Sequence, residues 1–175
     1  MNTLRRWLGH PLPALLSLLI YAISQTMIAR TLHSGDAEAL LFRFQFCYSA
    51  SDFLALLNSI STQQLTALQN HFTYDHIHPL WYGLLALSLT AWLMNLNQMS
   101  ARWSVMLWPA VIMALMDVVE NTIHEPWLTL QSQPGDPWVL IAGSAATLKW
   151  TLAALYLIAA VLLTIRYFLQ RRTTG

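Results

Sequence analysis

Apolar residues along this chain gather into four long runs instead of alternating with polar ones. The runs extend from about Leu12 to Ala29, Leu80 to Leu96, Trp103 to Ile123 and Trp138 to Phe168. A bilayer core of roughly 30 Å is crossed by about 20 mostly apolar residues in a helix. Each run therefore predicts a membrane-crossing helix (12–29, 80–96, 103–123, 138–168), and the fourth is long enough to tilt or emerge. Between the first two lies residues 31–79, the one sizeable extramembrane segment. It opens on a turn signal, Ser34-Gly35-Asp36. Phe42, Phe44 and Phe46 then alternate with Arg43 and Gln45, a period of two that suggests a short extended piece, while Ala37 to Leu41 favours helix instead. Ser51-Asp52 and Ser61-Thr62 are candidate caps for two short helices, the second with Leu65, Leu68 and Phe72 on one face. Such helices would lie on the membrane surface as a lid.

Composition sharpens this picture. Of 175 residues 56% are hydrophobic and only 10% charged, against about 25% charged in soluble domains. A disordered chain is thereby excluded, and a disulfide scaffold fails because Cys47 is the single cysteine. The net charge of +1, without a basic cluster beyond the two tails, argues against a nucleic-acid partner. Arg5 and Arg6 precede the first run, Arg102 separates the second and third, and Arg166, Arg171 and Arg172 close the chain. With four spans all of these fall on one side, which the positive-inside rule makes the cytoplasm. No small-residue cleavage site follows the first run, so an uncleaved anchor helix is expected there. Trp7, Trp103, Trp81, Trp127 and Trp138 fall near the two interfaces and read as aromatic belts.

The chemistry-bearing residues are the few polar ones inside the runs. At about 100° per residue, Asp117, Glu120, Asn121 and His124 project at roughly 0°, −60°, +40° and −20°, one stripe of the third helix. Such a stripe belongs against a bundle interior or a water-filled cavity. If His124 marks the interface, Asp117 lies about 10 Å and Glu120 about 6 Å below it. Lys149, the only lysine, sits inside the fourth run and needs a counter-ion, for which Asp117 and Glu120 are available. Before the second run stands Tyr74-Asp75-His76-Ile77-His78-Pro79-Leu80-Trp81-Tyr82. If helical throughout, it puts Asp75, His78 and Tyr82 on one face, although Pro79 disfavours that conformation for His78. Gln25 and Arg30 bring polar groups from the first run.

Three chemistries fit. Asp117, Glu120, His124, Lys149, Asp75 and Tyr82 are candidate acid–base residues, with Asn121, Gln25, Arg30 and His78 as ligand contacts. His76, His78, Glu120 and His124 supply nitrogen and oxygen ligands for a divalent metal such as zinc, without any recognised zinc motif. Alternatively the polar network is structural, and the chain is a non-enzymatic accessory subunit with a membrane-protein partner or a second copy of itself.

The run Tyr74-Asp75 through Pro79 and Tyr82-Gly83, with Asp117-x-x-Glu120-Asn121 and Leu148-Lys149-Trp150, resembles small bacterial four-helix inner-membrane proteins. The resemblance implies a bacterial inner-membrane location and transfers positions, not an activity. The sequence thus predicts a single all-α membrane domain over 1–175. It is a four-helix bundle with a partly helical periplasmic loop and a polar pocket opening to the outer leaflet. A lipid-like or small amphipathic ligand is expected there.

Overall fold

The computed structural model describes residues 2–173 and contains helices and turns only. The chain forms α1 (Asn2–Leu8), α2 (Pro11–His33), α3 (Glu38–Gln45), α4 (Ala50–Ser59), α5 (Thr62–Asp75), α6 (His78–Leu96), a 3₁₀ segment (Ala101–Leu107), α7 (Trp108–Leu128) and α8 (Asp136–Thr173). Four helical stretches, Pro11–His33, His78–Leu96, Ala101–Leu128 and Asp136–Arg172, are long and apolar enough to cross a membrane. Each long helix carries a proline in its first two positions: Pro11, Pro79, Pro109 and Pro137. That position needs no N–H donor, and the ring presets a helical φ, so the prolines mark starts and not breaks. At their other ends α2, α6 and α7 are followed by Asp36, Gln98 and Leu130 at φ of 53°, 52° and 60°. This left-handed residue turns the chain back and lets its amides reach the last carbonyls.

The four long helices run alternately up and down. α2 packs on α6, α6 on α7, and α7 on α8, with further contact between α6 and α8. Small residues line these contacts, among them Ala86, Ala110 and Ala146. A β-carbon on Gly83 would lie 3.0 Å from the Ala114 methyl, so α6 and α7 approach to within one side-chain layer there. α8 turns Leu155, Leu157, Ile158, Val161, Leu162 and Ile165 outward, about half of each exposed. In a bilayer that surface is solvated by acyl chains.

α3, α4 and α5 cover one end of the long helices. Their core joins Phe44, Phe53, Leu68 and Phe72 to Trp127, Leu128 and Val139 of α7 and α8. The segment around Phe42–Phe46 is helical, and the extended alternative is wrong. The apparent period of two comes from Phe44 alone turning inward onto Phe53, with ring centroids 4.8 Å apart, while Phe42 lies on Trp150 and Phe46 faces out. α4 is capped two residues earlier than its sequence suggests, by Ser49, whose hydroxyl accepts from the Asp52 amide. α5 begins in a full capping box between Ser61 and Gln64, as the Ser61-Thr62 pair indicates. Trp127 departs from the belt reading: only 5% exposed, it packs edge-on against Phe53 inside this core.

The opposite end is bolted by the first helix. Arg5 is buried and donates to the Asn95 side chain at 2.9 Å and to the Met99 and Ser100 carbonyls at 2.8 and 3.2 Å. Asn95 returns a bond to the Gly9 carbonyl at 3.0 Å.

The cap end is held to α8 at Gly143, where a β-carbon would run into the Cys47 carbonyl oxygen. Gly143→Ala is expected to cost roughly 1–3 kcal/mol, the usual range for overpacking. Gly135→Ala, where an added methyl meets nothing within 4 Å, should stay within about 0.5 kcal/mol of the parent. Unfolding midpoints in detergent measure both.

Candidate functional site

Helical phase sets the site. On α7 every third or fourth residue turns inward, which buries Asp117, Glu120, Asn121 and His124 together while Val118 and Thr122 face out. Lys149 projects from α8 between the first two and reaches both, at 2.6 Å to Asp117 Oδ1 and 2.6 Å to Glu120 Oε2. The side chains of all three are at least nine-tenths buried. The lysine is shared as an ion, and the Asp117 contact is also a hydrogen bond, whereas Glu120 is held by charge. Three ions in a dry interior need strong mutual attraction to offset their lost hydration, and the two short contacts supply it.

α6 contributes next. Tyr82 donates its phenol to Asp117 Oδ2 at 3.0 Å, so each oxygen of Asp117 accepts one hydrogen bond. One turn earlier the His78 ring stands between Tyr21 and Tyr82, with centroids 5.5 and 5.4 Å away, and its Nδ1 lies 2.9 Å from the Ser24 hydroxyl of α2. Asp75, Tyr82 and His78 do not lie on one continuous helix, because α5 ends at Asp75 and α6 restarts at His78. Asp75 still turns inward: its carbonyl accepts from Asn121 Nδ2 at 3.4 Å, and its carboxylate lies 3.6 Å from His71 Nε2. Burial pushes the Asp75 carboxyl upward, but the His71 ring beside it, with Lys149 and His78 beyond, outweighs burial and holds the group below the ordinary carboxylate range.

Below the ion pair, away from the cap, lies a cavity of about 290 Å³. Tyr21, His78, Tyr82, Asp117, Lys149, Trp150 and Tyr156 give it polar or aromatic atoms, and Leu85, Ala86, Met113 and Ala153 form its apolar walls. Of the α7 stripe only Asp117 and, one turn before it, Met113 reach this space. Glu120, Asn121 and His124 sit behind the lysine, toward the cap, where His124 packs between Phe53 and Trp127 with its Nδ1 3.9 Å from Glu120. The centre of the cavity is therefore Asp117 with Lys149, and not the whole stripe.

Two expected contacts are absent. Gln25 and Arg30 are exposed, because the inward face of α2 is Ala14, Ser17, Ser24, Ile28 and Leu32. At about 100° per residue Gln25 and Arg30 fall beside that face. Nor are His76, His78, Glu120 and His124 brought together. The helix break before α6 points His76 outward to Glu125, 3.0 Å away, while His78 turns to α2. Among the described residues no group of three or more His, Cys, Asp or Glu side chains is placed to hold a metal ion.

Ser24, Tyr21, His71 and Tyr156 join the site without having been singled out. The spacing of Ser17, Tyr21 and Ser24 at intervals of three and four is a readable signal of a polar-flecked inward face. His71, four residues before Asp75 on a helix, is another. Tyr156 stands about two helical turns beyond Lys149 on α8. No protein-family model matches the chain, and no curated protein or solved structure is detectably similar to it.

Charge balance makes a sharp forecast. Lys149→Met leaves two buried carboxylates with no cation and should cost about 3–5 kcal/mol. Asp117→Asn leaves one anion opposite one cation and still offers Lys149 and Tyr82 an acceptor, so about 1 kcal/mol is expected. Chemical unfolding in detergent measures both. Equal losses would show that side-chain size, and not charge, sets the cost.

Proposed function

We propose that this chain is a membrane-embedded receptor or processing site for a lipid-like or small amphipathic molecule, held in the cavity between α2, α6, α7 and α8. The observation that carries the reading is the cavity's division. Apolar walls from Leu85, Ala86, Met113 and Ala153 meet one polar end made by Asp117, Lys149, Tyr82 and His78. Small-molecule sites are concave, mostly apolar, and carry a few fixed polar groups that orient the ligand. About 290 Å³ suits a head group and the first carbons of a chain. Among the described residues α2 and α8 share no extended contact, although both wall the cavity. The seam between them offers the rest of a long ligand a lateral way into the bilayer.

In this reading the long helices form a four-helix bundle in a bacterial inner membrane. Arg5, Arg6, Arg102, Arg166, Arg171 and Arg172 favour a cytoplasmic position for both termini. α3, α4 and α5 then form a periplasmic cap over the outer-leaflet half, and the resemblance in Tyr74–Gly83, Asp117–Asn121 and Leu148–Trp150 supports the same assignment. Asp117, Lys149 and Tyr82 are the groups through which acid–base chemistry on a bound head would run. Asp75, Glu120, Asn121 and His124 support them from behind.

A second reading has its own observation. Lys149 pairs with both acids internally, as a purely structural clamp in an accessory subunit would. Lipid mass spectrometry of the purified protein separates the two. A bound amphiphile should co-extract in stoichiometric amount from the parent and be lost from Ala153→Phe, which fills the cavity, with the unfolding midpoint little changed. Equal lipid content in parent and variant favours the accessory subunit.

A further inference from the structure

The end of the long helices away from the cap carries a charge imbalance that the fold does not resolve. Residues 2–12, 95–108 and 163–173 meet there, and they hold Arg5, Arg6, Arg102, Arg166, Arg171 and Arg172 without one Asp or Glu. The acids all lie from Asp36 to Asp75 or from Asp117 to Asp136. Arg5 is answered internally, by the Asn95 side chain and the Met99 and Ser100 carbonyls. Arg6 is not. It is exposed, and among the described residues it has no hydrogen bond or ion pair.

Helical phase explains the difference. Successive residues of α1 point about 100° apart, so burying Arg5 against the end of α6 turns Arg6 away from it. There Arg6 lines an open groove of about 580 Å³ at the junction of α1 and α2, with Thr3, Trp7, His10, Leu12 and Pro13. Thr3, Arg6 and His10 make its polar part. His10 Nδ1 accepts from the Leu12 amide at 3.3 Å, which leaves the ring hydrogen on Nε2. Trp7, 76% exposed, and Leu12 make the apolar part. From Leu12 the apolar surface continues along α2 through Leu16 and Leu19, each more than half exposed. The membrane-length stretch of α2 begins at Pro11, so in a bilayer the groove stands where that helix enters the lipid.

We propose that this groove binds one anionic membrane phospholipid, a phosphodiester with an otherwise uncharged head, of which phosphatidylglycerol is the type. A guanidinium presents a planar fork that matches two phosphate oxygens, and Arg6 has that fork unspent. An acyl chain lies along Leu12, Leu16 and Leu19, and Trp7 sits at the interfacial level that indole rings prefer. Selectivity follows from the missing acids. A zwitterionic head brings an ammonium that needs a carboxylate, and this end of the protein offers arginines instead. An uncharged head adds nothing for them to repel. The site is separate from the cavity beside Lys149 and holds whether or not that cavity takes a ligand.

The test titrates dioleoyl phosphatidylglycerol and dioleoyl phosphatidylethanolamine separately into the full-length protein in non-ionic detergent, with native mass spectrometry counting bound lipid. Phosphatidylglycerol should add one saturable equivalent and bind more tightly than phosphatidylethanolamine. Arg6→Gln should weaken its binding about fivefold, the factor that one arginine beside anionic lipid supplies. Arg102→Gln removes the same charge from the same end but outside the groove, and should leave the affinity nearly unchanged. Ala153→Phe fills the other cavity and should keep the bound lipid. Equal weakening by Arg6→Gln and Arg102→Gln would make the attraction diffuse and overturn a discrete site. Equal binding of the two lipids would overturn the head-group assignment. Loss of the bound lipid in Ala153→Phe would move it to the cavity beside Lys149. Displacement by glycerophosphoglycerol, the same head without chains, at the concentration of the lipid would overturn the membrane source.

Discussion

The ammonium of Lys149, shared between Asp117 and Glu120, is the interaction on which the rest depends. It is the ionic link between α7 and α8 at the level of the cavity, at 2.6 Å on each side. Among acyl chains, apolar packing alone gives helices little preference for one rotation over another, since lipid is as apolar as leucine. A buried triad supplies that preference. If α8 turned about its axis, two carboxylates would face hydrocarbon without a cation, a state costing several kcal/mol. With α7 and α8 fixed in phase, Trp150 and Tyr156 take the positions that wall the cavity, and Val139 and Gly143 meet the cap.

The cap and the cavity are linked through α8 as well. Trp150 donates to Gln45 of α3 at 3.0 Å and stacks with Phe42 at 5.1 Å, while Tyr48 and Thr147 share a hydrogen bond of 2.5 Å. One residue thus touches the site on one edge and the covering helices on the other. The covering helices owe their own order to local chemistry, namely the Ser49 and Ser61 caps and one shared apolar core. They are a small folded layer seated on the long helices and not a loose connection.

How much of this is legible in the chain depends on which physics fixes it. The long helices are, because roughly 20 apolar residues in a row have few alternatives. The α7 stripe is legible too, because Asp117, Glu120 and His124 obey a single helical phase. The sharing of Lys149 is half legible: its need for an acid follows from its burial, but that it takes two depends on the rotation of α8 against α7. Gln25 and Arg30 mislead because polarity inside an apolar run does not show the phase that Ser17, Ser24 and Ile28 set. His76 and His78 mislead because a break between α5 and α6, signalled only by Pro79, turns neighbours to opposite sides. Trp127 misleads because an aromatic near a helix end looks the same in sequence whether lipid or a folded cap meets it.

The Arg5 bolt has a consequence for the order in which the molecule takes shape. Arg5 precedes Asn95 by 90 residues and the Met99 and Ser100 carbonyls by 94 and 95. During synthesis from the N-terminus the first helix is made long before anything exists for it to grip. α1 cannot take its final seat until the end of α6 and the turn beyond it have emerged. α1 precedes its partners in synthesis yet settles after them, and its docking ties it to a stretch of chain 90 residues further on.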